Sequence, residues 1–216
     1  MPSPSKLAME KINPLHIIFA KLTSSKTSKN EEYRNICACD VSYYGTEKNR
    51  VAVAAAVTYD RESRKIVQKE TAVSKNPLPY VPGYFFIREL PPIISVLRKV
   101  DSNIDVVLVE GHGLLHPHKS GLAVYVGVFF DKPTIGVAKS LQVGEVMVQK
   151  QAISPIIYEN KIMGNMIFLP NIGRRYYISV GYKITLQKAT EIMFSLLTEG
   201  IDLIRMAHSL SKTLIS

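Results

Sequence analysis

The sequence has few cysteines, and this shortage limits the kinds of site that the chain can hold. Cys37 and Cys39 are the only thiols among its 216 residues. A disulfide framework or a zinc cluster needs more thiols, or histidines at ligand spacing, so neither is expected. The two cysteines are two positions apart on a predicted strand, so their side chains share one face. We therefore expect two small buried hydrophobic residues in a reducing cytoplasm.

Long hydrophobic runs are also missing from the chain. The mostly apolar segment Leu15–Ala20 lies between Lys11 and Lys21, which is far too short a segment to span a bilayer. Residues 1–7 lack the long apolar core and the small-residue cleavage site of a secretion signal. We expect a cytoplasmic, monomeric protein with no membrane partner.

The chain also has fewer acidic than basic residues. It contains 18 Asp and Glu and 27 Lys and Arg, which gives a formal net charge of +9. An excess of this size favours a polyanionic partner, since Lys and Arg that contact phosphates release condensed counterions. The alternative is a generally basic, well-solvated surface. With 216 residues, 46% of them hydrophobic, the chain is expected to form one domain.

The hydrophobic patterns predict an α/β fold with a mixed sheet flanked by helices. Residues 1–32 are expected to form an N-terminal helix and a polar connector. The predicted strands are Tyr33–Tyr43, Arg50–Tyr59, Lys65–Val73, Ile104–Val109, Thr134–Ala138, Lys161–Leu169 and Arg175–Val180. The predicted helices are residues 6–23 with an interruption near Pro14, Phe85–Val100 with Pro91 and Pro92 at a kink or at its true start, Gly121–Phe130, Leu186–Leu197 and Leu203–Leu214.

Three acidic residues stand out by their positions. Asp40 lies in the middle of an apolar strand, where an unpaired carboxylate is costly to bury. Glu110 lies at the end of a buried strand, the place where side chains of separate segments converge on a ligand in α/β sheets. Glu89 follows an aromatic-rich loop at the start of a helix. Such carboxylates suit Mg²⁺, which prefers oxygen ligands; the alternative for each is an ion pair with a basic residue.

Several loop residues are further candidates. His116 fits proton transfer or phosphate contact, and Lys139, after a short strand, fits phosphate binding; the alternative for both is a solvated loop residue. Tyr80, in a loop stiffened by prolines that include Pro82, offers a rigid ring that can fill the gap left by an extruded base. The alternative is a tyrosine that packs under its loop. The glycines Gly111 and Gly113 allow a base or a phosphate to approach the backbone closely.

Taken together, these motifs resemble the endonuclease V family in content and in order. The matching segments are DVSY at 40–43, YVPG at 80–83 with RE at 88–89, VEGHG at 109–113 with HP at 116–117, GLA at 121–123, PTIGVAKS at 133–140 and SVG at 179–181. They cover roughly residues 33–210. The combination is highly specific, although each segment alone is not.

The resemblance implies an RNase H-like fold and a phosphodiesterase that depends on Mg²⁺ or Mn²⁺. It implies recognition of deoxyinosine in DNA and hydrolysis of the second phosphodiester bond on its 3′ side, leaving 3′-hydroxyl and 5′-phosphate ends. Asp40 and Glu110 would bind the metal, and Glu89 would complete the acidic cluster. Tyr80 with Pro82 and Gly83 would form the wedge, Gly111 and Gly113 would line the base pocket, and His116 and Lys139 would act near the phosphate.

The chain departs from the family pattern at two positions. Glu110 stands where the family usually has Asp, and its longer side chain must retract or shift the metal, which predicts an altered metal preference or a slower turnover. Tyr182 stands where the family usually has His. His208 falls where the family often has an acidic residue or a histidine near the metal. Two alternatives stay open: an endoribonuclease specific for inosine in RNA, and a non-catalytic binder of damaged DNA.

Overall fold

Nine strands form one mixed sheet in the part of the chain that the computed structural model describes, residues 14–23, 32–46, 49–75, 84–100, 103–147 and 151–213. The strands are β1 (Asn35–Tyr44), β2 (Val51–Asp60), β3 (Lys65–Lys75), β4 (Val106–Glu110), β5 (Thr134–Ala138), β6 (Glu145–Val146), β7 (Ile153–Tyr158), β8 (Lys161–Leu169) and β9 (Arg174–Tyr182). Their order across the sheet is β3-β2-β1-β4-β5-β9-β8-β7-β6. The sheet confirms the predicted mixed α/β architecture.

Parallel and antiparallel pairs divide the sheet into three parts. At one side β1, β2 and β3 pair antiparallel. In the centre β1, β4 and β5 run parallel, so their carboxyl ends meet at one edge of the sheet. Beyond β5, the strands β9, β8, β7 and β6 continue antiparallel.

Helices cover both faces of the sheet. They are α1 (residues 14–23), α2 (Phe85–Leu97), α3 (Leu122–Phe130), α4 (Leu186–Thr198) and α5 (Leu203–Thr213). The helices α2 and α3 pack on one face and α4 and α5 on the other, each over its own hydrophobic cluster. No helix within the described ranges is long and apolar enough to cross a membrane.

Side chains of β1 alternate between these two faces. Cys37 and Cys39 face α2 and α3, whereas Ile36 and Ala38 face α4 and α5. Both thiols are free and fully buried, which confirms them as small core residues, and burial raises the pKa of Cys37 to about 12. Alternation then places Asp40 on the α4 and α5 face, next to Ala38.

The structure adds strands that were not predicted and decides one alternative about a helix. The two-residue strand β6 was not predicted, and neither was β7, because Pro155 lies inside β7 and proline lacks the N–H that a central strand needs. The strand tolerates this proline because its outer neighbour β6 has only two residues. Pro91 and Pro92 lie inside α2, well after its first residue Phe85, so neither marks the true start of the helix. The first helix was predicted at residues 6–23 with an interruption near Pro14; Pro14 is its first described residue, and the part before it lies outside the described residues.

Candidate functional site

Asp40 and Glu110 lie side by side at the centre of the sheet. Their strands β1 and β4 are parallel neighbours, and Cys39 is in register with Val109. The next residue on each strand is therefore the acid, and both acids point to the same face, since neighbouring parallel strands keep the same pleat. The strands are about 4.8 Å apart, which brings the two carboxylates within reach of one small ion.

Each of these two carboxylates contacts one basic side chain. His208, on α5, donates from Nδ1 to Asp40 Oδ2 at 2.6 Å. Lys139, directly after β5, holds its Nζ 3.5 Å from Glu110 Oε1. Asp40 is 3% exposed, whereas Lys139 has 45% of its side chain exposed. The alternative of an ion pair with a basic residue therefore holds for Glu110, whose partner is Lys139. The partner of Asp40 is a histidine.

Glu89 approaches the pair from α2, on the opposite face of the sheet, and is 3% exposed. Burial raises the pKa of Glu89 to about 8, and the charges of Asp40 and Glu110 add to the rise. Burial also raises the pKa of Glu110, as does the charge of Asp40, while Lys139 opposes the rise. Carboxyl groups whose ionisation is opposed by burial and by one another favour a nearby cation.

The donor set of this acidic group fits a hard divalent cation. Within the described ranges, no three His, Cys, Asp or Glu side chains converge closely enough to enclose one metal ion, so the three-carboxylate cluster is not preformed. Mg²⁺ does not need three carboxylates, because it binds through one or two of them and keeps several waters. The oxygens of Asp40 and Glu110 meet that requirement.

A cavity of about 220 Å³ opens beside Glu110. This volume is below the range of drug-sized pockets and suits a small ligand. Its wall combines aromatic, apolar and polar side chains with backbone. The lining residues are Phe85, Phe86, Glu110, Gly111, His112, His116, Ser120, Gly121, Leu122, Ala138, Lys139, Ser140 and Gln142.

Two histidines of this cavity are held neutral. Burial lowers the pKa of His112 to about 4 and the pKa of His116 to about 3. His116 Nδ1 accepts from the backbone N–H of His118 at 3.2 Å, which places its proton on Nε2. Both ring nitrogens of His112 are buried, and the backbone of Ser140 opposes the fall of its pKa. His116 is therefore suited to hydrogen bonding more than to the proton transfer that the sequence analysis considered.

Behind the cavity, His16 of α1 is equally buried, at 1% exposure. Its Nδ1 lies 2.5 Å from the hydroxyl of Ser120 and 2.8 Å from that of Tyr125, and its ring stacks on His118 at 4.5 Å. Burial lowers the pKa of His16 to about 4, and the charge of His118 lowers it further. The N-terminal helix thus supports the cavity through a neutral histidine.

This burial predicts loss of stability in acid. The folded pKa of His16 lies below its ordinary value of 6.5, so its contribution to the free energy of unfolding is complete above pH 6.5 and is lost as pH falls towards about 4. Each such histidine contributes a slope of about 1.4 kcal/mol per pH unit in that window. In the His16→Gln variant, the free energy of unfolding measured in urea should depend less steeply on pH between about 4 and 6.5, by the share that His16 contributes. A slope equal to that of the wild type would contradict the burial argument.

The structure separates the two predicted pocket glycines. Gly111, with φ +138°, lies in the cavity wall. Gly113 lies behind the wall, where its N–H donates to Ser179 Oγ at 2.9 Å and a Cβ would come 2.0 Å from the carbonyl oxygen of Val180. Gly113 therefore holds the loop against β9. The predicted wedge residues Tyr80, Pro82 and Gly83 lie outside the described residues.

Tyr182 takes no part in the site. It is paired with Thr134 at the beginning of β5, whereas Lys139 follows the end of that strand. Its side chain is 3% exposed and its hydroxyl donates to Asp131 Oδ1 at 3.0 Å. The departure from the family pattern at position 182 therefore leaves the acidic group unchanged.

Sequence reasoning missed a group of basic residues beside the acidic pair. A second cavity of about 400 Å³ is lined by Lys139, Arg174, Arg175, Tyr176, Arg205, His208 and Ser209. The arginines come from β9 and α5, and the pattern of either element alone gives no sign that they meet. The pairing of β5 with β9 would have indicated the group, because Tyr177 pairs with Ala138 and so places the first residues of β9 beside Lys139.

Comparisons with known proteins agree with this geometry. A family model described as Endonuclease V matches residues 18–208. An Endonuclease V of Thermofilum pendens is 33% identical over 208 residues, which cover 95% of this chain and 88% of the relative.

Solved structures share the fold. Endonuclease V of Bacillus subtilis superposes with a TM-score of 0.84 at 23% identity, covering 95% of this chain and 91% of that one. Endonuclease V of Ciona intestinalis, in complex with a 24mer DNA containing an inosine followed by a ribo-adenosine, superposes with a TM-score of 0.80 at 23% identity, covering 95% of this chain and 96% of that one. The likeness confirms the predicted RNase H-like fold.

Proposed function

Because the chain belongs to the Endonuclease V family of nucleases, we propose that it hydrolyses DNA at deoxyinosine, the product of adenine deamination, as a repair enzyme. The bond cut would be the second phosphodiester on the 3′ side of the lesion. The observation that carries the proposal is the cavity beside the acidic pair, joined to it through Glu110 and Lys139. The Ciona intestinalis relative, which holds inosine-containing DNA, supports the choice of lesion.

Asp40 and Glu110 would hold the divalent ion, and Glu89 would stand close enough to bind its waters. Nucleases of this family generally depend on a divalent metal, and Mg²⁺, or Mn²⁺ in its place, is the ion proposed. When bound, the metal supplies an activated water and neutralises charge on the phosphate in the transition state. His208 fixes the orientation of the Asp40 carboxylate through its 2.6 Å hydrogen bond.

Lys139 would bind the scissile phosphate. Its ammonium group lies 3.5 Å from Glu110 and is partly exposed, so it can turn from the carboxylate to a phosphate oxygen. In the reaction a water oxygen bonds to phosphorus, the bond to the 3′ oxygen breaks, and that oxygen takes up a proton. The products carry a 3′-hydroxyl and a 5′-phosphate.

The cavity would take the extruded base. His112 lines the cavity, and a neutral imidazole presents one donor and one acceptor. Hypoxanthine carries both kinds of group along its edge. Gly111 would let the base approach the backbone, His116 would donate from Nε2, and Tyr80 would fill the gap left in the stack.

The test is a nicking assay on a duplex that carries one deoxyinosine, with Mg²⁺ and with EDTA. We expect one nick at the second bond 3′ of the lesion, only with metal, and none in the matched duplex with adenine. A matched RNA strand with one inosine tests the endoribonuclease alternative, which the ribo-adenosine of the Ciona intestinalis complex makes worth measuring. Binding to inosine DNA without nicking in either metal would support the non-catalytic alternative and reject the enzyme.

Glu110 gives a separate prediction about the metal. The Glu110→Asp variant shortens the carboxylate by one methylene and restores the residue that the family usually has there. We expect nicking in Mg²⁺ to rise severalfold relative to Mn²⁺, because Mg²⁺ demands near-ideal octahedral geometry. The ratio of the two rates in the variant and in the wild type is the measurement. An unchanged ratio would show that the longer side chain does not strain the ion.

A cytoplasmic location and a monomeric state stay predictions. Each is open to direct measurement, the first by fractionation and the second by light scattering.

A further inference from the structure

We propose that the basic cavity, defined as the one lined by Lys139, Arg174, Arg175, Arg205 and His208, binds the phosphates of the nucleic-acid strand just 3′ of the bond that is cut. This inference rests on the proposed function. It assigns a strand-binding subsite to three arginines, Arg174, Arg175 and Arg205, that lie outside the motifs that identified the family.

The two cavities lie on either side of the acidic pair. Lys139 lines both of them. Glu110 lines the cavity proposed for the base, and His208, which is bonded to Asp40, lines the basic cavity. A strand that has its extruded base in the cavity beside Glu110 and its scissile phosphate at the acidic pair therefore continues into the basic cavity. Since the proposed cut lies 3′ of the lesion, the strand that enters the basic cavity is the 3′ part.

Lys139 and His208 of this cavity contact the acidic pair, whereas its three arginine charges are not neutralised by a carboxylate among the described residues. Arg174, Arg175 and Arg205 make no ion pair with a carboxylate within the described part of the chain, and no acidic side chain of that part lines the cavity. By contrast, Arg34 at the opposite end of β1 pairs with both Asp60 and Glu62. Unpaired arginines beside an otherwise acidic group match a phosphate backbone, because the guanidinium fork binds phosphate oxygens in pairs.

The fold fixes where these arginines stand. Asp202 accepts from the hydroxyl of Tyr176 at 2.5 Å and from the backbone N–H of Arg205 at 3.0 Å, so it ties the first turn of α5 to β9. Arg205 and His208 are three positions apart on α5 and therefore lie on one face of the helix. The guanidinium of Arg175 lies over the ring of Phe168 at 5.8 Å. The Asp202 carboxylate is thus engaged with Tyr176 and the helix start, and the cavity keeps its positive charge.

The test compares two double variants with the same loss of charge. In Arg174→Gln with Arg175→Gln, both changes lie in the basic cavity. In Arg64→Gln with Arg98→Gln, both changes are exposed and lie away from it, in the β2–β3 turn and after α2. Unmodified single-stranded DNA in EDTA is the first probe, with affinity measured by fluorescence anisotropy over a range of KCl. Each phosphate contact on a single strand contributes about 0.7 to the steepness of log K against log salt. Loss of two contacts should therefore make the slope of the cavity variant shallower by about 1.4, and the slope of the control should stay unchanged.

A second probe varies the length of an inosine strand past the cut. In the wild type, KM should fall as the first few nucleotides are added 3′ of the cut bond, and the cavity variant should lose most of that fall. The proposal would be overturned if the wild type and the cavity variant had the same salt slope and the same dependence of KM on length. It would also be overturned if the control double variant changed these two quantities as much as the cavity variant does. If the wild type nicks no inosine strand, the proposed function fails, and the salt slopes alone then decide whether the cavity binds phosphates.

Discussion

Asp40→Asn is expected to lower the nicking of inosine DNA by at least about a thousandfold, equivalent to about 4 kcal/mol of transition-state stabilisation. The amide keeps the size of the side chain and can still bond His208, but it removes the charge that a divalent ion needs. The free energy of unfolding should change by less than about 1 kcal/mol, because the change also removes a charge that opposes the ionisation of Glu89 and Glu110. Single-turnover nicking and urea unfolding measure the two quantities.

The matched control is Asp131→Asn. Asp131 follows α3 near the beginning of β5, at the far end of that strand from Lys139, and it already has the left-handed backbone that asparagine tolerates. We expect nicking within about twofold of the wild type. Native-rate nicking by Asp40→Asn would show that the reaction takes place elsewhere.

The second large effect concerns stability. Gly113→Ala should lower the free energy of unfolding by about 3 kcal/mol, because the added Cβ would meet the carbonyl oxygen of Val180 at 2.0 Å and the backbone nitrogen of Gly181 at 3.0 Å. For a domain of this size the loss corresponds to a Tm lower by about 6–12 °C. Thermal unfolding followed by circular dichroism measures it.

Gly173→Ala separates this clash from a simple loss of backbone freedom. Gly173 has φ +67°, but a Cβ there meets nothing within 4 Å. Its substitution should cost only about 1 kcal/mol, from the left-handed backbone. Equal losses for the two alanine variants would mean that the loop at Gly113 moves away from β9 without cost.

Much of the fold could be predicted from the sequence because its central strands have strong local patterns. The strand β2 was predicted at Arg50–Tyr59 and runs from Val51 to Asp60, and β5 was predicted with its observed bounds. The strand β7 was missed because Pro155 argues against a strand unless its place near the edge of the sheet is known. Local pattern gives no information about that place.

The site was predictable only in part, for a similar reason. Asp40 and Glu110 were predicted to share a metal ion from their positions on buried strands and from the family resemblance, and the parallel pairing of β1 with β4 supplies the physical reason that they meet. The side of the sheet from which Glu89 approaches, and the contact between His208 and Asp40, depend on how helices pack. The arginines of the basic cavity lie on β9 and α5, and only the assembled fold brings them together.

The most direct test of the account is a calorimetric titration of Mn²⁺ into the protein bound to an inosine strand with a non-hydrolysable linkage at the proposed cut. The wild type should take up the ion, and Asp40→Asn and Glu110→Gln should each bind it at least about tenfold more weakly, because each removes one of the two proposed carboxylate ligands. Absence of uptake by the wild type, or equal affinity in all three proteins, would contradict the assignment of the metal to Asp40 and Glu110.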